Sequence, residues 1–262
     1  MTERGHNPLK ASLRRMWLIA GQTLAEALHL RLTLLLAMAG TMLVLTARWL
    51  RDFNFGFTEL KFLVDFGLGA IGLMGTLLAA LATAHLFFSD VAGATIACVL
   101  TRPVRRGEFI GGKLAGVMAL LAGFVLTLAL VLAGLIAIRE AQLGVRVVPL
   151  AVLGQACALV WLKLTLVAAM TLLVCSYAAS PLFASSAGLL LAVVAHLRPF
   201  TATTGWLAWM RLWPNLGLFD AEPLLAVGGL SVTALFERIG YWAVFILLLG
   251  ALASHVFQHR EF

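Results

Sequence analysis

Apolar residues gather along this chain into long unbroken runs, parted by short polar breaks. A membrane-spanning helix needs about 20 mostly apolar residues to cross about 30 Å of hydrocarbon. Six runs approach that length: about 32–50, 66–88, 114–138, one within 150–177, 182–197 and 240–257. The fifth is short and is closed by Arg198-Pro199. The runs do not alternate apolar with polar, so they give no support to a membrane β-barrel.

A different pattern precedes the first run. Leu9, Leu13, Met16, Trp17, Ala20, Leu24 and Leu28 recur at three- and four-residue steps, with Lys10, Arg14 and Arg15 between them. This predicts an amphipathic helix lying in the membrane interface; packing on a soluble partner is the alternative. The pattern as a whole predicts an all-α integral membrane protein of about six transmembrane helices preceded by an N-terminal amphipathic interfacial helix. Residues 1–31 form the N-terminal part, 32–257 the transmembrane domain and 258–262 a short tail.

Composition agrees. Of 262 residues, 62% are hydrophobic and 12% charged, the latter about half the share of a soluble domain. Mean hydropathy is +1.00. So few polar side chains cannot cover a water-exposed surface of this size. The net charge of +7 and pI near 10 are read as cytoplasmic loop charge and attraction to anionic headgroups, and nucleic acid is not expected. Cys98, Cys157 and Cys175 are far apart and form no CxxC pair, so neither disulfides nor zinc are indicated. No signal peptide is expected. The polar lead before the first run is too long, and the run continues past Ala37-Met38-Ala39.

Lys and Arg set orientation. With the N-terminus inside, the inner segments hold Arg4, Lys10, Arg14, Arg15, Arg31, Arg102, Arg105, Arg106, Lys113 and Arg260. The outer ones hold Arg48, Arg51, Lys61, Arg139, Arg146, Arg198, Arg211 and Arg238, together with the acids Asp52, Glu59, Asp65, Glu140, Asp220, Glu222 and Glu237. Both termini are therefore expected in the cytoplasm. The loop 89–112 is then cytoplasmic, and the long connection 198–239 lies outside. The latter carries Trp206, Trp209, Trp213, Pro214 and Pro223, which suits the headgroup level. It has room for short re-entrant or surface helices, such as 222–236.

Several motifs fail on context. Gly107 to Lys113 fits GxxxxGK, but Leu114 stands where a nucleotide site needs Ser or Thr, and a membrane run follows. Gly67-Leu68-Gly69-Ala70-Ile71-Gly72 fits GxGxxG inside an apolar run, where close helix contact, extended by Gly75, is the better reading. Gly112 and Gly116 carry the same expectation. His85, His196 and His255 are scattered, and neither HExxH nor GxSxG occurs. Lys163 is the one ionisable residue well inside a run. It reads as a cavity-facing cation for an anionic substrate or headgroup, or as a lysine snorkelling beside Trp161 with the true span beginning later and 150–160 on the outer surface.

The stretch 90–113 reads DVAGATIACVLTRPVRRGEFIGGK. It resembles the first cytoplasmic loop of the type-2 ABC transporter permeases, the membrane subunits of ABC exporters. That loop typically carries an acid, then T-[LI], then [KR]-P-V-x-R, then G-K leading into the third span. Asp90, Thr95-Ile96, Arg102-Pro103-Val104, Arg106 and Gly112-Lys113 match in order, with Asp90 where Glu is commoner. The six runs, the basic leading helix, the segment Pro214-Asn215-Leu216-Gly217-Leu218-Phe219 and the charged tail His259-Arg260-Glu261-Phe262 agree with that topology.

The resemblance implies a permease subunit that moves a substrate on ATP hydrolysed by a separate nucleotide-binding subunit. ATP and Mg belong to that ATPase, no cofactor is expected on this chain, and the chain is not itself an enzyme. A second copy or a similar permease, and membrane lipids, complete the expected partners. The location implied is the bacterial cytoplasmic (inner) membrane. Asp90, Thr95, Arg102, Pro103, Arg105, Arg106, Glu108 and Lys113 would couple to the ATPase. Residues 95–100 would form a short helix ended by Pro103. The arginines would bond ATPase carboxylates or carbonyls, or anionic lipid. A secondary carrier, or a non-transporting scaffold or sensor, could share the topology. A carrier should show ionisable residues deep in several spans or repeated halves, and here Lys163 stands alone.

Overall fold

The computed structural model describes residues 8–47, 59–92, 106–144, 149–197, 213–221 and 229–258, and all regular structure among them is helical. The helices are α1 (Pro8–His29), α2 (Arg31–Thr46), α3 (Glu59–Ala92), α4 (Arg106–Leu143), α5 (Leu150–Tyr177), α6 (Pro181–Leu197) and α7 (Val232–Gln258), with one 3-10 turn, Leu216–Phe219.

Local chemistry sets the boundaries. Leu30 adopts an extended conformation (φ −66°, ψ 125°), which interrupts the helical ladder and bends α1 from α2 by 65°. The Thr33 hydroxyl donates to the Ala27 carbonyl at 2.7 Å, satisfying an acceptor left at the break. Gly144, at φ +68°, follows α4 in the left-handed conformation that glycine adopts without a Cβ penalty. Between α5 and α6 the Ser180 hydroxyl accepts the Phe183 N–H at 3.3 Å, and Pro181 opens the helix where its missing N–H costs nothing. The run expected within 150–177 falls on α5, and the run 182–197 falls on α6.

Helices α3, α4, α5 and α7 are long and apolar enough to cross a membrane. The bent pair formed by α1 and α2 makes a fifth if it is one span. Among the described residues, the six runs of the sequence therefore give four or five helices that meet the length. The 17-residue α6 falls short of the ~20 residues a crossing needs. The sixth run starts earlier than its apolar pattern indicates, because α7 begins at Val232.

Packing is antiparallel between successive long helices. Lys113 near the start of α4 meets Leu86 near the end of α3, while a Cβ on Gly67 early in α3 would strike Leu132 late in α4. On the α5–α6 hairpin, Gly188 faces Thr171 and His196 faces Lys163. Helix α5 is the hub, contacting α3, α4, α6 and α7. Of its apolar stretch 72% is buried inside the protein, against 17% for α7, whose outer face (Phe236, Val244, Leu247) is left for lipid or another chain. Trp161 and Trp242 pack at 6.0 Å between α5 and α7, their indole N–H groups donating to the Met118 carbonyl and the Thr165 hydroxyl.

Helix α1 packs lengthwise along α4, in parallel. Ser12 meets Glu108, Met16 meets Gly112, and Ala20 meets Gly116. A Cβ on Gly112 would lie 2.8 Å from Ile19, and one on Gly116 would lie 2.8 Å from the Ala20 carbonyl oxygen. The small-residue pair thus lets two backbones approach, as its spacing predicts. The α1 apolar stripe splits: Ala20 is buried and Met16 and Leu24 are half-buried, while Leu13, Trp17 and Leu28 remain exposed.

Candidate functional site

The loop that carries the family-like motif leaves α3 at Ala92 and returns at Arg106. Thr95, Arg102, Pro103 and Arg105, and the short helix expected over 95–100, lie outside the described residues. Arg106 is the first residue of α4. Asp90, Glu108 and Lys113 are described, and they form two polar clasps at the foot of the loop.

In the first clasp, the Lys113 side chain is 3% exposed. An ammonium so placed is costly unless paired and hydrogen-bonded. Its Nζ lies 2.6 Å from Asp90 Oδ2 and donates to the Leu86 carbonyl at 2.7 Å. Both partners belong to the last two turns of α3, so this lysine ties the exit of the loop to its return. In the second clasp, the Glu108 side chain is 7% exposed. It accepts from Ser12 Oγ at 2.6 Å, Arg15 Nε at 2.9 Å and Arg15 Nη2 at 2.8 Å. The fork of Arg15 grips both carboxylate oxygens, which fixes direction as well as distance. Ser89 Oγ donates to Glu26 at 2.7 Å, a third tie from α1 to this end of the bundle.

Below the clasps the contacts turn apolar. Phe87, Phe109 and Phe257 meet with ring centroids 5.8 to 6.5 Å apart, joining α3, α4 and α7. The foot of the loop is thus joined across four helices, α1, α3, α4 and α7.

A second polar cluster lies elsewhere. Lys163 stands 13 residues after Leu150 and 14 before Tyr177, in one continuous helix. The helix runs unbroken through 150–160 and on past Lys163. The Lys163 ammonium bonds Asp220 Oδ1 at 2.7 Å and His196 Nδ1 at 3.2 Å. Asp220 follows the 3-10 turn, whose Leu216 and Phe219 are buried against α5 and α6. Asn215 caps that turn, accepting the Gly217 N–H, and donates its own N–H to the Tyr241 hydroxyl. His196 and Asp220 escape a reading of the sequence because they lie 33 and 57 residues from Lys163. One signal was present: Asp220 ends the apolar stretch Leu216 to Phe219, an unusual place for an acid.

No group of three or more His, Cys, Asp or Glu that could hold a metal occurs among the described residues. The helices and their apolar surfaces define a multi-pass membrane protein. Compared with known proteins, the chain matches no family model and no curated sequence.

Proposed function

We propose that this chain is the transmembrane permease subunit of an ATP-binding cassette transporter of the exporter class. It moves its substrate on ATP hydrolysed by a separate nucleotide-binding subunit. The observation that carries the reading is the double clasp of Asp90 with Lys113 and of Glu108 with Arg15 and Ser12. A loop that receives force must be fixed at both ends to the helices it moves. In this chain the motif-bearing loop is pinned at both ends by buried, charge-assisted bonds.

On this reading α2 and α6 count as spans, giving six. Both termini and the loop lie in the cytoplasm of a bacterial cell, and Arg102, Arg105 and Arg106 meet the ATPase. Two permease copies, or this chain with a similar one, complete the membrane portion.

The test is affinity capture of the tagged chain in mild detergent from its own cells. Retention of an ATPase subunit is expected. A purified chain that never retains one, together with no ATPase gene beside its own, would remove the reading.

A further inference from the structure

Lys163 sits about 20 Å along α5 from either end, level with the last turn of α6, where His196 stands. Its surroundings are unlike those of a buried structural ion pair. The Lys163 and Asp220 side chains are 18% and 36% exposed, and His196 is exposed. A lysine ammonium has no acceptor, so His196 Nδ1 must accept and its ring proton rests on Nε2. The cluster therefore presents an N–H donor, a carboxylate oxygen and part of an ammonium outward, groups that lipid tails cannot satisfy. The segment from Trp213 to Ala221 adds to the case. Its backbone is non-helical outside one 3-10 turn, so its polar groups need protein or water as partners. Leu216, Phe219 and Ala221 account for the buried side; Asp220 faces the open one.

We propose that water reaches this cluster within the bundle, and that Lys163 is the cationic centre of an anion site which Asp220 occupies as an internal stand-in. A solute bearing a carboxylate or phosphate would take the place of the Asp220 carboxylate. The 3-10 turn would stay anchored by Leu216 and Phe219 while the Asp220 side chain swings aside. His196 Nε2–H would offer the entering anion a second donor. The inference rests on the geometry of the cluster and holds whether or not the chain partners an ATPase.

Cysteine labelling tests it, in full-length protein in membranes, with Cys98, Cys157 and Cys175 replaced by alanine. Asp220→Cys vacates the anion position and leaves the ammonium. A negatively charged, membrane-impermeant methanethiosulfonate should label it several-fold faster than a positively charged one, and adding Lys163→Met should erase that preference. His196→Cys keeps the Lys163–Asp220 pair and covers the case in which Asp220→Cys does not fold. It should be labelled by the impermeant reagent from one side of the membrane, whereas Val193→Cys, 55% exposed on the apolar side of α6, should not. Equal rates for the two reagents at Asp220→Cys would overturn the anion site. Equal labelling of His196→Cys and Val193→Cys, or labelling of neither before denaturation, would overturn the access of water.

Discussion

The Asp90–Lys113 clasp and the Lys163–Asp220 cluster both place an ammonium beside a carboxylate, at 2.6 and 2.7 Å. They differ in how the charge is covered. Lys113 is 3% exposed, and both its partners come from the adjoining end of α3, so two helices that already pack together supply everything it needs. Lys163 is 18% exposed and draws one partner from the end of α6 and one from a turn beyond it. The first arrangement fixes a rigid joint. The second closes a long connection onto the middle of a helix and leaves polar atoms facing outward. Near-identical ion pairs thus sit in opposite settings, and burial, rather than distance, tells them apart.

The sharpest way to break the comparison is to remove one carboxylate from each pair. Asp90→Ala leaves a nearly inaccessible ammonium without its counter-ion. The expected loss is about 3–5 kcal/mol, read as a fall in thermal unfolding temperature in nanodiscs. Asp90→Ala combined with Lys113→Met should recover much of it, because no charge is then stranded. Asp220→Asn should cost less, about 1–3 kcal/mol, since its partner keeps His196 and some exposure. A larger loss at Asp220 than at Asp90 would reverse the assignment of joint and opening.

The seam that attaches α1 gives the next effect. Gly116→Ala puts a methyl group 2.7 Å from Thr23 Cβ and 2.8 Å from the Ala20 carbonyl. Overpacking of this kind costs about 1–3 kcal/mol, and cross-linking between cysteines placed on α1 and α4 should weaken with it. Gly134→Ala, on the same helix with nothing within 4 Å, is the matched control and should be neutral or slightly stabilising. The smallest effect is expected from Trp242→Phe, which forfeits the bond to Thr165 and costs about 0.5–1.5 kcal/mol.

The same contrast explains what could be read from the chain. The apolar runs behind α5 and α6 were legible, but their ends were not; Pro149, Ser180 and Pro181 show their part as boundary residues only in the folded chain. Close approach at Gly112 and Gly116 was legible from spacing, but its partner was not. An amphipathic stripe says that a helix packs, not on what, and α1 lies along α4 and leaves half of its apolar stripe exposed. Glu108 and Lys113 were singled out by a motif, whereas Ser12, Arg15 and Glu26 became visible only once α1 was in place. Lys163 stood out as a charge in an apolar run. Its partners did not, because Asp220 counts as one more loop acid until the chain between α6 and α7 folds back to mid-helix.

The central claim is that the clasped loop carries force between an ATPase and the bundle. Its most direct test is the substrate-coupled ATPase rate of the captured complex bearing Glu108→Ala with Arg105→Ala, at matched ATPase content and thermal stability. The account predicts that ATP hydrolysis loses its coupling to transport while the complex stays assembled. A doubly substituted complex that hydrolyses ATP and transports as the unaltered one does would contradict it.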